Sequence, residues 1–382
     1  MREIRQKDIQ RIVVRGANWV GDAVMSVAAL RRLRQVFPNA HITLAVRSWA
    51  QDIFADAPFV DSLMLHERHD IASIIKQIRD WRRHKFDLAV LFPNAFEAAL
   101  IPFLARVPVR VGYATDGRRA LLTQPLRLPE WRDRRSETFY YLNIVSEIES
   151  MLNPSATVVN GEPDCSLSIS EFRQTQAVEQ LKSQGASELK LTIAICPGSI
   201  NSRAKRWPAE RYARLADRLI EEQNADVLLI GSKDEVDVSA EVRGSMKYQP
   251  IDLTGKTDLA GAVAILSVVD LVVSNDTGPA HIAASLGRPT LVIFGPTNPL
   301  TTRPFSEAAE IVRQPPDCAP CMLRDCPIDH RCMTAISVEE VFAKALALMQ
   351  AKSGESVRNE RSTKSHEQTQ TQIRKSDSCS FV

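Results

Sequence analysis

Short runs of Val, Ile and Leu alternate along the chain with stretches whose apolar positions recur every three or four residues. Brief continuous apolar runs suit strands buried on both faces, and the 3.6-residue period suits the helices that cover them. The pattern predicts strands at 11–15, 41–46, 62–65, 87–92 and 110–113, with helices in the gaps, notably 23–36 and 71–83. A second series follows, with strands at 191–196, 226–230, 271–274 and 290–294 and helices starting near 209, 234, 258 and 279. Strand and helix in steady alternation imply a parallel sheet with helices on both faces. The expected fold class is therefore α/β, with two doubly wound, Rossmann-like domains.

Both periodicities lapse in NPSATVVNGEPDCSLSIS, residues 153–170, where Pro, Gly, Asn and Ser interrupt strand and helix alike. This divides the chain into a first domain over 1–155, a linker over 156–170 and a second domain over 171–337. Residues 338–350 are apolar at Val341, Phe342, Ala345, Leu346 and Met349, which predicts a helix docked on a domain. From 353 to 382 the chain is rich in Ser, Gln, Thr and charge, a composition that does not offset its own ordering entropy, so a disordered tail is expected.

Length and composition narrow the class. A chain of 382 residues exceeds what one core usually serves. With 44% hydrophobic and 25% charged residues and a formal charge of +2, nothing drives the whole molecule toward nucleic acid, and any bound anion must be met by local groups. The start, MREIRQKDIQRIVV, lacks the apolar core and cleavage site of a signal peptide, and no apolar run approaches the roughly 20 residues that span a bilayer. A cytoplasmic protein without a transmembrane segment is expected, any membrane contact being peripheral.

Three loops carry the candidate chemistry. RGANWVGD, residues 15–22, lies between the first strand and the next helix, where open α/β sheets bind ligands. Gly16 and Gly21 permit close approach, but the G-x-G-x-x-G fingerprint of dinucleotide binding is missing. Asp22 has two readings: a helix N-cap, or a general base that takes a proton from an attacking hydroxyl. The second loop, CPGSINSRAKRWP at 196–208, contains Ser199 and the cations Arg203, Lys205 and Arg206, suited to a diphosphate through charge-assisted hydrogen bonds. A solvated surface loop is the alternative. The third, SNDTGPAH at 274–281, places Thr277 and Gly278 at the start of a helix, whose free N–H groups favour anions. Asp276 is suited to sugar hydroxyls, and His281 either contacts phosphate or packs within the helix. A buried strand ending in the Gly/Pro-rich turn at 295–298 points into the same cleft. The donor is thus expected chiefly on the second domain and the acceptor on the first.

Cys318, Cys321, Cys326 and Cys332 form C-x₂-C-x₄-C-x₅-C, which matches no standard zinc or iron–sulfur spacing closely. Structural zinc, reduced thiols and redox pairing stay open, with no metal preferred. Arg118, Arg119, Arg127 and the WRDRRS segment at 131–136 make another basic stretch, read as a solvated face or as a contact for an anionic acceptor.

The strings RGANWVGD, PGSINSRAKRWPAERYARLA and SNDTGPAHIAASLGRPTLVIFGPTNP resemble glycosyltransferase family 9, over residues 11–349. The resemblance implies a GT-B fold, two Rossmann-like domains facing across a cleft. It also implies an inverting transfer of heptose from ADP-heptose to the first heptose of the lipopolysaccharide inner core, at the inner membrane surface and without an obligatory cofactor. By the same resemblance Asp22 is the base and Lys205 neutralises the departing diphosphate. Gly21, Ser199, Arg206, Asp276, Thr277, Gly278 and His281 hold substrate, and Glu235 meets the ribose hydroxyls. Other activities in the family, a nucleotide-sugar epimerase and a non-catalytic nucleotide-sugar binder are the alternatives; an epimerase needs a further cleft carboxylate that the sequence does not reveal.

Overall fold

In the computed structural model, which describes residues 5–67, 70–153 and 162–351, the apolar runs assemble into two sheets of six parallel strands. The first contains β1 (Arg11–Arg15), β2 (His41–Val46), β3 (Ser62–Leu65), β4 (Leu88–Leu91), β5 (Val109–Tyr113) and β6 (Gln124–Leu126), in the order β3-β2-β1-β4-β5-β6. The second contains β7 (Thr192–Cys196), β8 (Asp226–Leu229), β9 (Ile251–Asp252), β10 (Leu271–Asn275), β11 (Thr290–Phe294) and β12 (Ala309–Arg313), ordered β12-β11-β10-β7-β8-β9. Counted from its own first strand, the second sheet repeats the order of the first. Both are 3-2-1-4-5-6, the doubly wound plan.

The central strands behave as the pattern requires. Val14 pairs with Leu44 on one side and Val90 on the other, all fully buried. The strands β6, β9 and β12 are not among those the apolar pattern predicts. β6 and β9 are short, β6 contains Pro125, which only an edge tolerates, and β12 mixes polar with apolar positions. The stretch expected as one helix over 23–36 is two, Val20–Met25 and Val27–Val36, broken at Ser26. There the Ser26 hydroxyl turns back and donates to the Ala23 carbonyl at 2.8 Å, competing with the helical ladder.

Residues 338–351 are helical and bury Val341, Phe342 and Ala345 in the core of the second sheet, beside Leu215 and Leu219. Of the expected linker, 162–170 runs without regular structure and ties to the second sheet's helices where the Leu167 amide donates to the Ser285 carbonyl at 2.8 Å. Residues 156–161 and the tail at 353–382 lie outside the described residues. Among those described, no helix is long and apolar enough to cross a membrane.

Candidate active site

Strand order reverses between β1 and β4 in the first sheet and between β7 and β10 in the second. At such switch points neighbouring loops part and leave a crevice at the carboxyl ends of the strands. The three loops singled out in the sequence follow β1, β7 and β10, so all three open at switch points.

The first loop is wired from within. Arg15 is almost fully buried; its Nη1 donates to the Gly16 carbonyl and its Nη2 to Asn18 Oδ1 at 2.6 Å. Burial lowers this guanidinium to about 10, so it keeps its charge at neutral pH. The helix that follows is capped by Trp19 in extended conformation, without a side-chain cap. Asp22 is therefore its third residue and not its N-cap. Its half-buried carboxylate meets the Tyr141 phenol and faces the charges of Lys205 and Asp276 across the cleft. Burial pushes Asp22 up to about 6, against the lowering effects of Tyr141 and Lys205.

Two residues not flagged in the sequence complete this half of the site. Ser136 caps the Glu137–Leu152 helix, accepting from the Thr138 amide at 3.3 Å. Glu137 and Tyr141 stand four residues apart on that helix and so share a face. Glu137 is raised to about 7, first by burial and then by the charge of Asp22, with Arg132 opposing. It is a second carboxylate beside Asp22 on this half of the site. The only sequence signal for it is the Ser-Glu start of a helix, which is ordinary at any N-terminus.

The second and third loops are fastened by one side chain. Asn275 Nδ2 donates to the carbonyls of Pro197 at 2.7 Å and Gly198 at 3.1 Å. Its Oδ1 accepts from the Trp207 amide at 3.1 Å and the Tyr212 hydroxyl at 2.9 Å. Asn275 is fully buried, and its amide spans both loops. Lys205 Nζ reaches Asp276 Oδ2 at 2.9 Å and its carbonyl at 3.0 Å, while Thr297 donates to the same carboxylate at 2.7 Å. Of the three cations in the second loop, Lys205 alone turns to Asp276. Arg206 bends back onto the Ser199 carbonyl at 2.9 Å, and Arg203 pairs on the surface with Asp325 at 2.6 Å. Glu235 lies against Gly198, where a Cβ would fall 2.1 Å from Oε1, and accepts from the Ser232 amide at 2.8 Å.

Among the contacts between the two halves, which include the Arg173–Asp56 ion pair at 2.9 Å, one pair of helices borders the site. A Cβ on Gly278 would come within 2.7 Å of Val20 Cγ1, and one on Gly21 within 3.0 Å of the His281 ring. Glycine at both positions permits this approach. His281 is buried, 3.9 Å from Asp276 Oδ1, and burial drives it down to about 4, so it is neutral here at physiological pH. A cavity of about 440 Å³ opens on the first-domain side, lined by Asn18, Trp19, Arg47, Ser48, Trp49 and Glu67.

The cysteine segment packs beneath the Lys205 loop. The Ala204 amide donates to the Arg324 carbonyl at 2.9 Å, Ser202 Oγ donates to the Leu323 carbonyl at 3.3 Å, and His330 Nε2 donates to the Ala204 carbonyl at 2.5 Å. Its thiols are free, and Cys332 is raised to about 11 by burial and by the three neighbouring sulfurs. Among the described residues no three His, Cys, Asp or Glu side chains are grouped to hold a metal ion. In the basic stretch, Arg118 departs from a solvated face. It is fully buried and donates to the carbonyls of Pro93 and, at 2.8 Å, Tyr113.

The sequence profile of Glycosyltransferase family 9 (heptosyltransferase) matches residues 73–331. The chain is 34% identical to Lipooligosaccharide heptosyltransferase 2 of Haemophilus ducreyi, over 79% of this chain and 88% of that one. It is 29% identical to Lipopolysaccharide heptosyltransferase 2 of Escherichia coli K12, over the same shares. The solved structure of E. coli ADP-heptose lps heptosyltransferase II superposes with a TM-score of 0.77 at 27% identity, covering 90% of this chain and all of that one. A family 9 glycosyl transferase from Veillonella parvula, 24% identical with a TM-score of 0.78 over 92% of this chain and 100% of its own, shares the fold.

Proposed function

The chain belongs to glycosyltransferase family 9, and from that premise we propose that it transfers heptose from ADP-heptose to the first heptose of the lipopolysaccharide inner core. The observation that carries this reading is the meeting of three switch-point loops, with Asp22 facing Lys205 and Asp276 across the cleft. A base on one side and a cation on the other is the arrangement a displacement at a sugar carbon requires.

Asp22 takes the proton of the acceptor hydroxyl as that oxygen attacks the anomeric carbon, and the bond to the β-phosphate breaks on the opposite face, inverting the centre. A carboxylate raised to about 6 is still mostly ionised at neutral pH, yet basic enough to take that proton. Negative charge then grows on ADP. Lys205 exchanges Asp276 for the diphosphate, and the amides at Thr277 and Gly278, already in place, add the helix N-terminus. Asp276, held by Thr297, turns its carboxylate to sugar hydroxyls, and Glu235 to the ribose. Ser199 and Arg206 shape the floor of the diphosphate site, and neutral His281 packs behind Gly21. The acceptor lies on the first-domain side, by the cavity at Trp19 and Trp49, with the enzyme at the inner face of the membrane.

ADP release from ADP-heptose, with and without a heptosyl-Kdo₂-lipid A acceptor, tests this. Acceptor-dependent release is expected, and Asp22→Asn should lower kcat by about 10²–10⁴-fold with the donor KM little changed. Lys205→Ala should raise the donor KM and lower kcat, the latter by about 10²–10³-fold. Release that ignores the acceptor would sink the transfer reading. Rearranged sugar still joined to ADP would point to an epimerase, with Glu137 as its second carboxylate.

A further inference from the structure

The Ile71–His84 helix covers the first sheet with Ile74, Ile78 and the fully buried Trp81, which explains its inner face. Its outer face is unexplained by the fold. Ile71 is 76% exposed and Ile75 43%, and beyond them the exposed side of the helix carries Lys76 and Arg79. The neighbouring helix, Phe96–Leu104, extends the surface. Arg82 binds its last carbonyl, donating to Leu104 at 2.6 Å, and Phe103 and Leu104 are exposed beside it. Lys85 and Arg106 follow at the ends of the two helices, both exposed.

Exposed aliphatic and aromatic side chains set among cations are ill suited to water alone. Among the described residues Lys76, Arg79, Lys85 and Arg106 have no ion pair, whereas most other surface arginines of the first domain's core helices do, as Arg32 with Glu149 and Arg34 with Asp61. The overall charge of the chain is only +2; on this helix Asp80 pairs with Arg83 at 3.6 Å, which leaves Lys76 and Arg79, among the described residues, as cations without an ion pair. Its position matters too. Both helices begin at the carboxyl edge of the sheet, where Asp22 lies, so Ile71 and Ile75 stand toward the cleft, while Phe103, Leu104, Lys85 and Arg106 stand toward the amino edge. Glu97, in the first turn of the second helix, bonds His66 at 3.0 Å and acts on the charge of Arg15, which braces the Asp22 loop.

We propose that the outer face of these two helices rests on an anionic phospholipid bilayer and presents the acceptor half of the cleft to a lipid-anchored substrate. The inference rests on the transfer reading for the nature of the substrate, but the surface itself stands on exposure and charge. Cations in such a patch gain from the negative surface potential, while the apolar residues enter the headgroup boundary.

The test is co-sedimentation of the full chain with vesicles of phosphatidylcholine alone or with phosphatidylglycerol added. Binding should require phosphatidylglycerol and weaken as salt rises. Lys76→Glu with Arg79→Glu should reduce it on the order of tenfold or more, and Ile71→Asn with Ile75→Asn should reduce it at unchanged charge. Turnover supplies the second arm. The charge-reversed protein should match the parent on a delipidated, water-soluble acceptor and fall behind it on acceptor embedded in anionic vesicles. Equal binding to both vesicle types, no binding to either, or self-association abolished by the same substitutions would each overturn the proposal. Failure of the parent on the soluble acceptor would instead count against the transfer reading and leave the vesicle result standing.

Discussion

Asp22 and Glu137 are both held above the usual carboxylate range, chiefly by burial. As a base Asp22 works only when ionised, so turnover should fall as pH drops through about 6. Tyr141 and Lys205 both favour its ionised form. Tyr141→Phe should therefore move the acid limb of the kcat/KM profile to higher pH, and an unmoved limb would remove Tyr141 from this role. The same shifts bear on stability. A carboxyl whose folded value is raised contributes stability that is complete below its unfolded value, near 4, and is lost as pH rises through the folded value. For Asp22 and Glu137 that window runs up to about 6 and about 7. Asp22→Asn and Glu137→Gln should thus raise Tm at pH 8 and lose that advantage near pH 4, read by thermal melts at the two pH values. Asp22 stands out in the sequence because its loop follows a strand. Glu137 does not, because what sets it apart is its burial and then Asp22, a neighbour more than a hundred positions away in the chain.

Between elements, the working contact is the one between the Val20–Met25 and Gly278–Ser285 helices, one from each half. Gly278→Ala would drive a Cβ into Val20 at 2.7 Å. The helices must then part by some tenths of an ångström or more, moving Asp22 away from Lys205. If ADP binds the second half as proposed, lower kcat with a smaller loss of ADP affinity is the expected result, because the added methyl meets Val20 of the first half; equal loss of both would show that the contact serves folding instead. Asn275 fastens two loops with four hydrogen bonds. Asn275→Ala would strand buried partners, costing about 1–3 kcal/mol for each group left unsatisfied, visible as a lower midpoint in urea. The cysteine segment belongs at this scale also, since its backbone supports the turn at Ala204 from which Lys205 projects.

For the whole molecule, division of labour between the halves is the consequence that can be measured. ADP bound to the second half should stabilise the chain by mass action, about 2.7 kcal/mol at a hundred times Kd. That shift should survive in Asp22→Asn and shrink in Lys205→Ala. A shift lost in both would place the nucleotide between the halves rather than on one. The repeated strand order explains why a chain with no obvious sequence repeat yields two crevices: each is generated by its own switch point.

What the sequence determines by itself is local in origin. Apolar runs specify the central strands, the 3.6 period specifies the helices, and a glycine-bearing loop between them marks a crevice, because these depend on residues a few positions apart. The edge strands β6, β9 and β12 are decided by the sheet they join, having little apolar pattern of their own. The site divides in the same way. Asp22, Lys205 and Asp276 stand out as candidates from their loops, whereas which of three cations turns to Asp276 does not. Arg203 finds Asp325, Arg206 finds its own loop's carbonyl and Arg118 goes to the core, through partners set by tertiary packing. Burial and long-range neighbours set the protonation of Asp22, Glu137 and His281, and a chain cannot display either until it has folded.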